Sequence, residues 1–104
     1  MILYILKYNI HPDKGEAYAA WAQTTIPRLL ASPGLVELRG YRPATGSSHV
    51  AVTFEFADLA AWAAWMADEA IKEIFVEARA YQVNQQIELW GPSPVLPEPL
   101  QPES

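Results

Sequence analysis

The stretch HVAVTFEFAD, residues 49–58, carries the two periodicities from which the fold is read. Val50, Val52, Phe54 and Phe56 fall on one face of an extended chain, and His49, Ala51, Thr53 and Glu55 fall on the other. This is the period-two pattern of a half-buried strand. Asp58 then stands where a helix cap belongs. The residues after it predict one helix from about 59 to 80, with Leu59, Trp62, Ala63, Met66, Ala70 and Ile74 as its inner stripe. Upstream, the turn residues PATGSS at 43–48 join this strand to another at 35–42 as a hairpin.

The pattern extends outward in both directions. Residues 2–10, ILYILKYNI, are short-period, β-branched and aromatic, and read as a strand. Asp13 with Glu16 three residues on makes a loose capping box. Behind it Tyr18, Trp21, Ala22, Thr25 and Leu29 recur at helical spacing. Pro27 is expected to kink that helix or start a new turn, and Ser32-Pro33-Gly34 ends it. Residues 81–90 read as a fourth strand more from their place after the helix than from their composition, since Gln82, Asn84, Gln85 and Gln86 are polar. The order β-α-β-β-α-β is the ferredoxin-like, α+β arrangement, a four-stranded antiparallel sheet with both helices on one face. Residues 1–90 form that domain. Residues 91–104 hold five of the nine prolines and form a Pro-rich tail, either frayed or laid as an extended arm across a partner.

The first strand is apolar on both sides, with Leu3 and Ile5 on one and Tyr4, Leu6, Tyr8 and Ile10 on the other. The sheet face away from the helices therefore needs a cover, most simply a second copy of the chain packed through a two-fold axis. Composition agrees, since 18% of residues are charged against about 25% in typical domains. The net charge of −5 and the lack of a basic cluster argue against nucleic acid. There is no cysteine for a thiolate site. No apolar run approaches the roughly 18 residues of a membrane span, and the apolar N-terminus lacks the basic start of a signal peptide. The expectation is a cytoplasmic homodimer with no membrane or nucleic-acid partner.

Several segments resemble, in order and spacing, the dimeric α+β-barrel superfamily that includes antibiotic-biosynthesis-monooxygenase-like proteins. They are the opening strand with His11-Pro12-Asp13-Lys14-Gly15-Glu16, then Ser32-Pro33-Gly34-Leu35, then Phe54-Glu55-Phe56-Ala57-Asp58 before a Trp-rich helix. The resemblance covers about residues 1–90. It implies a homodimer whose two sheets form a barrel, and a ligand cavity in each subunit between the helices and their own sheet. Many such proteins act on polycyclic aromatics or quinols with oxygen and neither metal nor flavin. A branch degrades haem, and Asn9 and Trp65 match its Asn and Trp. The His that ligates iron ten residues after that Trp is here Phe75. Cofactor-free monooxygenases of the family often carry a Trp at the end of strand three, where this chain has Phe56.

Candidate catalytic residues are therefore Asn9 and Trp65, with His49 as a base that titrates near neutral pH. Tyr18, Trp21, Phe56, Trp62 and Phe75 are the candidate wall of an apolar pocket for a flat, small aromatic ligand. The bland alternative for these rings and for Trp65 is core packing. His11 reads as a surface loop residue, and two distant histidines give no metal spacing. Glu37, Arg39 and Glu55 are candidates for an ion pair at a barrel seam. Arg79 reads as a complement to its helix C-terminus. No cofactor is expected. The functional readings are a cofactor-independent monooxygenase of a small aromatic or quinol, a non-catalytic ligand-binding or stress-associated dimer, and a structural dimer whose tail docks a partner.

Overall fold

In the computed structural model, which describes residues 1–103, β1 (Ile2–Ile10) is followed by a short 3₁₀ turn at Pro12–Lys14 and by α1 (Gly15–Leu30). Next come β2 (Leu35–Tyr41), β3 (Val50–Phe56), α2 (Leu59–Ala67), α3 (Glu69–Ala78) and β4 (Gln82–Trp90). The four strands form one antiparallel sheet in the order β2-β3-β1-β4. The ferredoxin-like α+β reading holds.

The helix after β3 is two helices. Asp58 caps α2 as expected, its Oδ1 accepting the Ala61 N–H at 2.8 Å. Asp68 then interrupts the run in an extended conformation, φ −68° and ψ 128°. Its Oδ1 accepts the Ala70 N–H at 2.8 Å and starts α3. An Asp competes for backbone donors better at a cap than inside a helix, so the chain breaks there. The inner stripe changes accordingly. Leu59, Ala63 and Ala70 face solvent, while Trp65, Ile71, Ile74 and Ala78 are buried.

α1 keeps its proline inside a continuous helix and lacks its expected cap. The helix continues through Pro27 to Leu30 without starting a new turn. The proposed capping box is not made. Asp13 lies in the 3₁₀ turn, where the His11 ring Nδ1 accepts its N–H at 3.3 Å, and α1 has no side-chain cap. Gly34, at φ +88°, makes the left-handed turn from α1 into β2, a conformation that a side chain disfavours.

The helices cover the face bearing Ile2, Tyr4, Leu6, Tyr8, Phe54 and Phe56, which with Leu29, Trp65, Ile71 and Ile74 make the core. A bulge in β4 decides which of its side chains reach the helices. Lys7 pairs with Gln86 but Asn9 pairs with Val83, and Asn84 has φ +56°. The extra residue inverts the alternation of β4. Gln82, opposite Ile10, thereby faces the helices along with Ile87 and Leu89, opposite Leu6 and Tyr4.

The outer face carries Leu3, Ile5, Ala51, Thr53, Tyr41 and Trp90 among charged side chains. Lys7 Nζ bonds Glu88 Oε2 at 3.0 Å, and Trp90 Nε1 donates to Glu88 Oε1 at 3.1 Å. Arg39 and Glu37 lie 3.4 Å apart, neighbours on β2 rather than partners across a seam. After Trp90, residues 91–103 have no helix or strand and are exposed, with Val95 91% accessible. No described helix is long and apolar enough to cross a membrane.

Candidate functional site

A cavity of about 230 Å³ lies between α1, α3 and the helix-facing side of the sheet. Its walls come from Leu6 and Tyr8 of β1, Leu38 and Gly40 of β2, and Val50, Val52 and Phe54 of β3. The α1 side adds Tyr18, Trp21, Ala22, Thr25, Ile26 and Leu29, and α3 adds Ile74, Phe75 and Ala78; Gln82 closes one end. None of these side chains is charged. The volume is a little below the roughly 300–1,000 Å³ of sites for drug-sized ligands, so it suits a small ring system.

Four polar side-chain groups meet this apolar surface, apart from the Trp21 indole. The hydroxyls of Tyr8 and Tyr18 are hydrogen-bonded to each other. Burial, and then the Tyr18 bond, push the Tyr8 hydroxyl far above the usual phenol range, so it stays neutral and works as a donor or acceptor. Gln82 is buried, and its Oε1 accepts from Gln85 Nε2 at 2.7 Å. The Thr25 hydroxyl is buried with no hydrogen-bond partner among the described residues.

The edge of the site is held by a clamp between α1 and α3. Glu77 accepts from Trp21 Nε1 at 2.8 Å and takes Arg28 in a two-pronged pair at 2.8 and 2.9 Å. The Arg28 bonds, then the indole bond, hold the Glu77 carboxyl down at about 2. Trp21 also stacks on Tyr81, with centroids 5.2 Å apart.

Of the five expected wall residues, Tyr18, Trp21 and Phe75 line the cavity. Phe56 and Trp62 do not. Phe56 is fully buried and packs on Trp65 at 5.1 Å. Trp62 packs on Tyr4 at 5.8 Å, its indole N–H buried without a partner among the described residues. The aromatic residues thus form two groups, Tyr8-Tyr18-Trp21-Tyr81 at one end and Tyr4-Phe54-Phe56-Trp62-Trp65-Phe75 in the core, the second reaching the cavity through Phe54 and Phe75.

Of the candidate catalytic residues, Asn9 and His49 are neighbours, Trp65 lies apart from them, and none of the three lines the cavity. Trp65 is 1% exposed and does not line the cavity; its indole donates to Ser32 Oγ at 2.8 Å. Asn9 faces the opposite side of the sheet, by its alternation with Tyr8, and its Oδ1 accepts the His49 backbone N–H at 2.8 Å. His49 lies just before β3 rather than in it and is exposed. Arg79 caps the end of α3 and lines a separate groove against β4. Tyr8, Thr25 and Gln82 are the site residues that the sequence reading did not single out.

Haem does not fit these residues. Phe75, where an axial His would stand, packs edge-on against Trp65, and no histidine lines the cavity. Among the described residues no three His, Cys, Asp or Glu side chains gather in a way that would hold a metal ion.

Comparison with known proteins places this geometry. No curated protein matches the chain. Among solved structures, a DABB family protein with a ferredoxin-like fold from Mesorhizobium loti superposes with a TM-score of 0.77 at 18% identity, covering 88% of this chain and 96% of its own. A protein from Arabidopsis thaliana gives 0.79 at 9%, covering 89% and 96%. SnoaB, a cofactor-independent oxygenase from Streptomyces nogalater, gives 0.70 at 16%, covering 93% and 97%. At these identities the likeness is one of fold. The sequence itself matches the family model for antibiotic biosynthesis monooxygenases over residues 1–77. With three quarters of its length under that one model, the chain belongs to the antibiotic biosynthesis monooxygenase family.

Proposed function

We propose that the chain is a homodimer that binds a small, uncharged aromatic molecule in the cavity and oxidises it with molecular oxygen, as a cofactor-independent monooxygenase of a phenol or quinol. The observation that carries this reading is the cavity wall. It is apolar, without a charged side chain, and edged by neutral hydroxyl and amide groups. Such a wall desolvates an electron-rich ring and leaves oriented hydrogen bonds for its oxygens. In the balanced reaction a ring methylene, activated through its enol form, takes one oxygen atom as a carbonyl, and the other leaves as water. The Tyr8–Tyr18 hydroxyl pair suits a proton relay, each hydroxyl giving one proton as it receives another. The family membership and the oxygenase among the fold relatives support the same reading.

The dimer is supported by the outer face of the sheet. Tyr41 and Trp90 are about half exposed there, at 49% and 51%, beside a centre where Ile5 and Ala51 are already covered within the single chain, at 4% and 9%. Joining two such faces would bury apolar surface that is otherwise wet.

One observation favours a second reading, a dimer that binds without catalysis. No carboxylate or imidazole lines the cavity, so the wall offers none of the usual general bases to take the substrate proton. The deciding experiment offers the purified protein a panel of hydroxylated tricyclic and bicyclic ketones and quinols. Binding is followed by calorimetry and turnover by oxygen consumption. Oxygen uptake that saturates with ligand and falls with Tyr8→Phe supports the oxygenase. Binding without uptake across the panel supports the binder, and no binding at all refutes both.

A further inference from the structure

Thr25 breaks the usual rule for a buried helical hydroxyl. Such a group ordinarily settles on the carbonyl one turn back. Here the Trp21 carbonyl already receives Thr24 Oγ1 at 2.9 Å. Thr25 is 2% exposed and its Oγ1 has no partner among the described residues, which destabilises the fold unless something else bonds it. Thr25 borders the cavity, but its Oγ1 exposes almost no surface, so a turn about χ1 is needed to present the hydroxyl to a ligand.

Tyr18 lines the same cavity, seven residues earlier on α1. Seven residues are nearly two full turns, so both side chains lie on one face of the helix, about 10 Å apart along its axis. Between them on that face stands Ala22, too small to block a flat ring. The Tyr18 end is a polar pole made with the Tyr8 hydroxyl, and Gln82 lies at the same end of β1, opposite Ile10. Thr25 is the second pole. The intervening wall, Leu6, Val52 and Phe54, is apolar.

We infer that Thr25 is a specificity-determining residue. It hydrogen-bonds one end of a flat, neutral ligand whose other end is held by the Tyr8–Tyr18 pair, so the ligand carries an oxygen at each end of its long axis. The inference rests on the reading of the cavity as the binding site, and it adds the polarity, length and orientation of what is bound.

The test uses the full chain and three probes: naphthalene, a naphthol, and a naphthalenediol with hydroxyls at opposite ends of the long axis. Affinities are measured by calorimetry on wild type and on Thr25→Val, which keeps the shape and removes the hydroxyl. The diol should bind wild type more tightly than the naphthol, and the naphthol more tightly than naphthalene. Thr25→Val should weaken the diol about tenfold, the size of one net hydrogen bond, while leaving naphthalene unchanged and the melting temperature equal or higher. Diol binding that Thr25→Val leaves intact overturns the role of Thr25 and spares the cavity. Equal losses for all three probes mean a change of shape, and also overturn it. If no probe binds wild type, the cavity reading fails and this inference with it.

Discussion

Replacing Trp65 with Phe separates packing from chemistry at the residue that the family pattern marks. The side chain is 1% exposed and touches Phe54, Phe56, Tyr4 and Phe75, with ring centroids 5.0 to 6.2 Å away. Phe removes the indole bond to Ser32 Oγ, a net loss of about 1 kcal/mol. The five-membered part of the ring leaves a void that its neighbours only partly close, which adds about 1–2 kcal/mol. The expected cost is therefore about 2–3 kcal/mol, or roughly 10–20 °C in melting temperature for a domain of this size. Ligand affinity should change less than about threefold, because Trp65 is absent from the cavity wall. Thermal melts at fixed protein concentration give the first quantity, since a dimer melts later when concentrated. Calorimetric titration with the naphthalenediol gives the second. A variant that melts like wild type yet loses affinity tenfold would refute this placement and return Trp65 to the ligand. The companion Ser32→Ala leaves the indole N–H unpaired and should cost about 1–3 kcal/mol with the same silence in binding.

Three further outcomes are expected. Thr53→Arg puts a long cation at the centre of the outer sheet face, and light scattering should show the dimer converted to monomer while circular dichroism keeps its shape; a persisting dimer would place the interface elsewhere. The Glu77 clamp makes stability depend on acid. Its folded carboxyl sits near 2, below the ordinary 4.5, so the contribution is complete above about pH 4.5 and is lost as pH falls towards 2; Glu77→Gln should flatten denaturation midpoints across that window, and an unchanged slope would deny the clamp. Ending the chain after Gly91 should change stability by no more than about 0.5 kcal/mol, because the tail side chains are exposed; a large loss of dimer affinity instead would assign the tail to the interface.

Much of the fold was legible because its decisive signals are local. The alternation of Val50, Val52, Phe54 and Phe56 fixes which side of β3 meets the helices, and three of these four line the cavity. Asp58 announced its helix because a cap is a one-residue device. Asp68 is the same device, but it sits inside a run of helix formers, where the apolar spacing continues across the break and hides it. The site was harder to read. Tyr18 and Trp21 stood out as large rings at helical spacing. Gln82 could not be read, because the bulge at Asn84 inverts the parity of β4 and simple alternation puts Gln82 on the wrong side. Nor could Trp62 and Trp65 be told apart from wall residues by spacing. Which ring borders a void depends on how α2 and α3 are angled, and that is decided at Asp68 by tertiary packing.

The joint at Asp68 also sets how the cavity yields. Trp65 and its neighbours anchor α2 through the bond to Ser32, whereas Ile74 and Phe75 of α3 form a wall of the cavity. In one straight rod, admitting a thicker ring would drag Trp65 out of the core. With an extended residue between the helices, a tilt of α3 against α2 is concentrated at a single pair of backbone angles, within the limits set by the Glu77 clamp to α1 and the Phe75 contact with Trp65. The spacing from Tyr18 to Thr25 has no such freedom, since both ride on one uninterrupted helix. For the ligand proposed above, such a pocket would be strict about length and tolerant of girth.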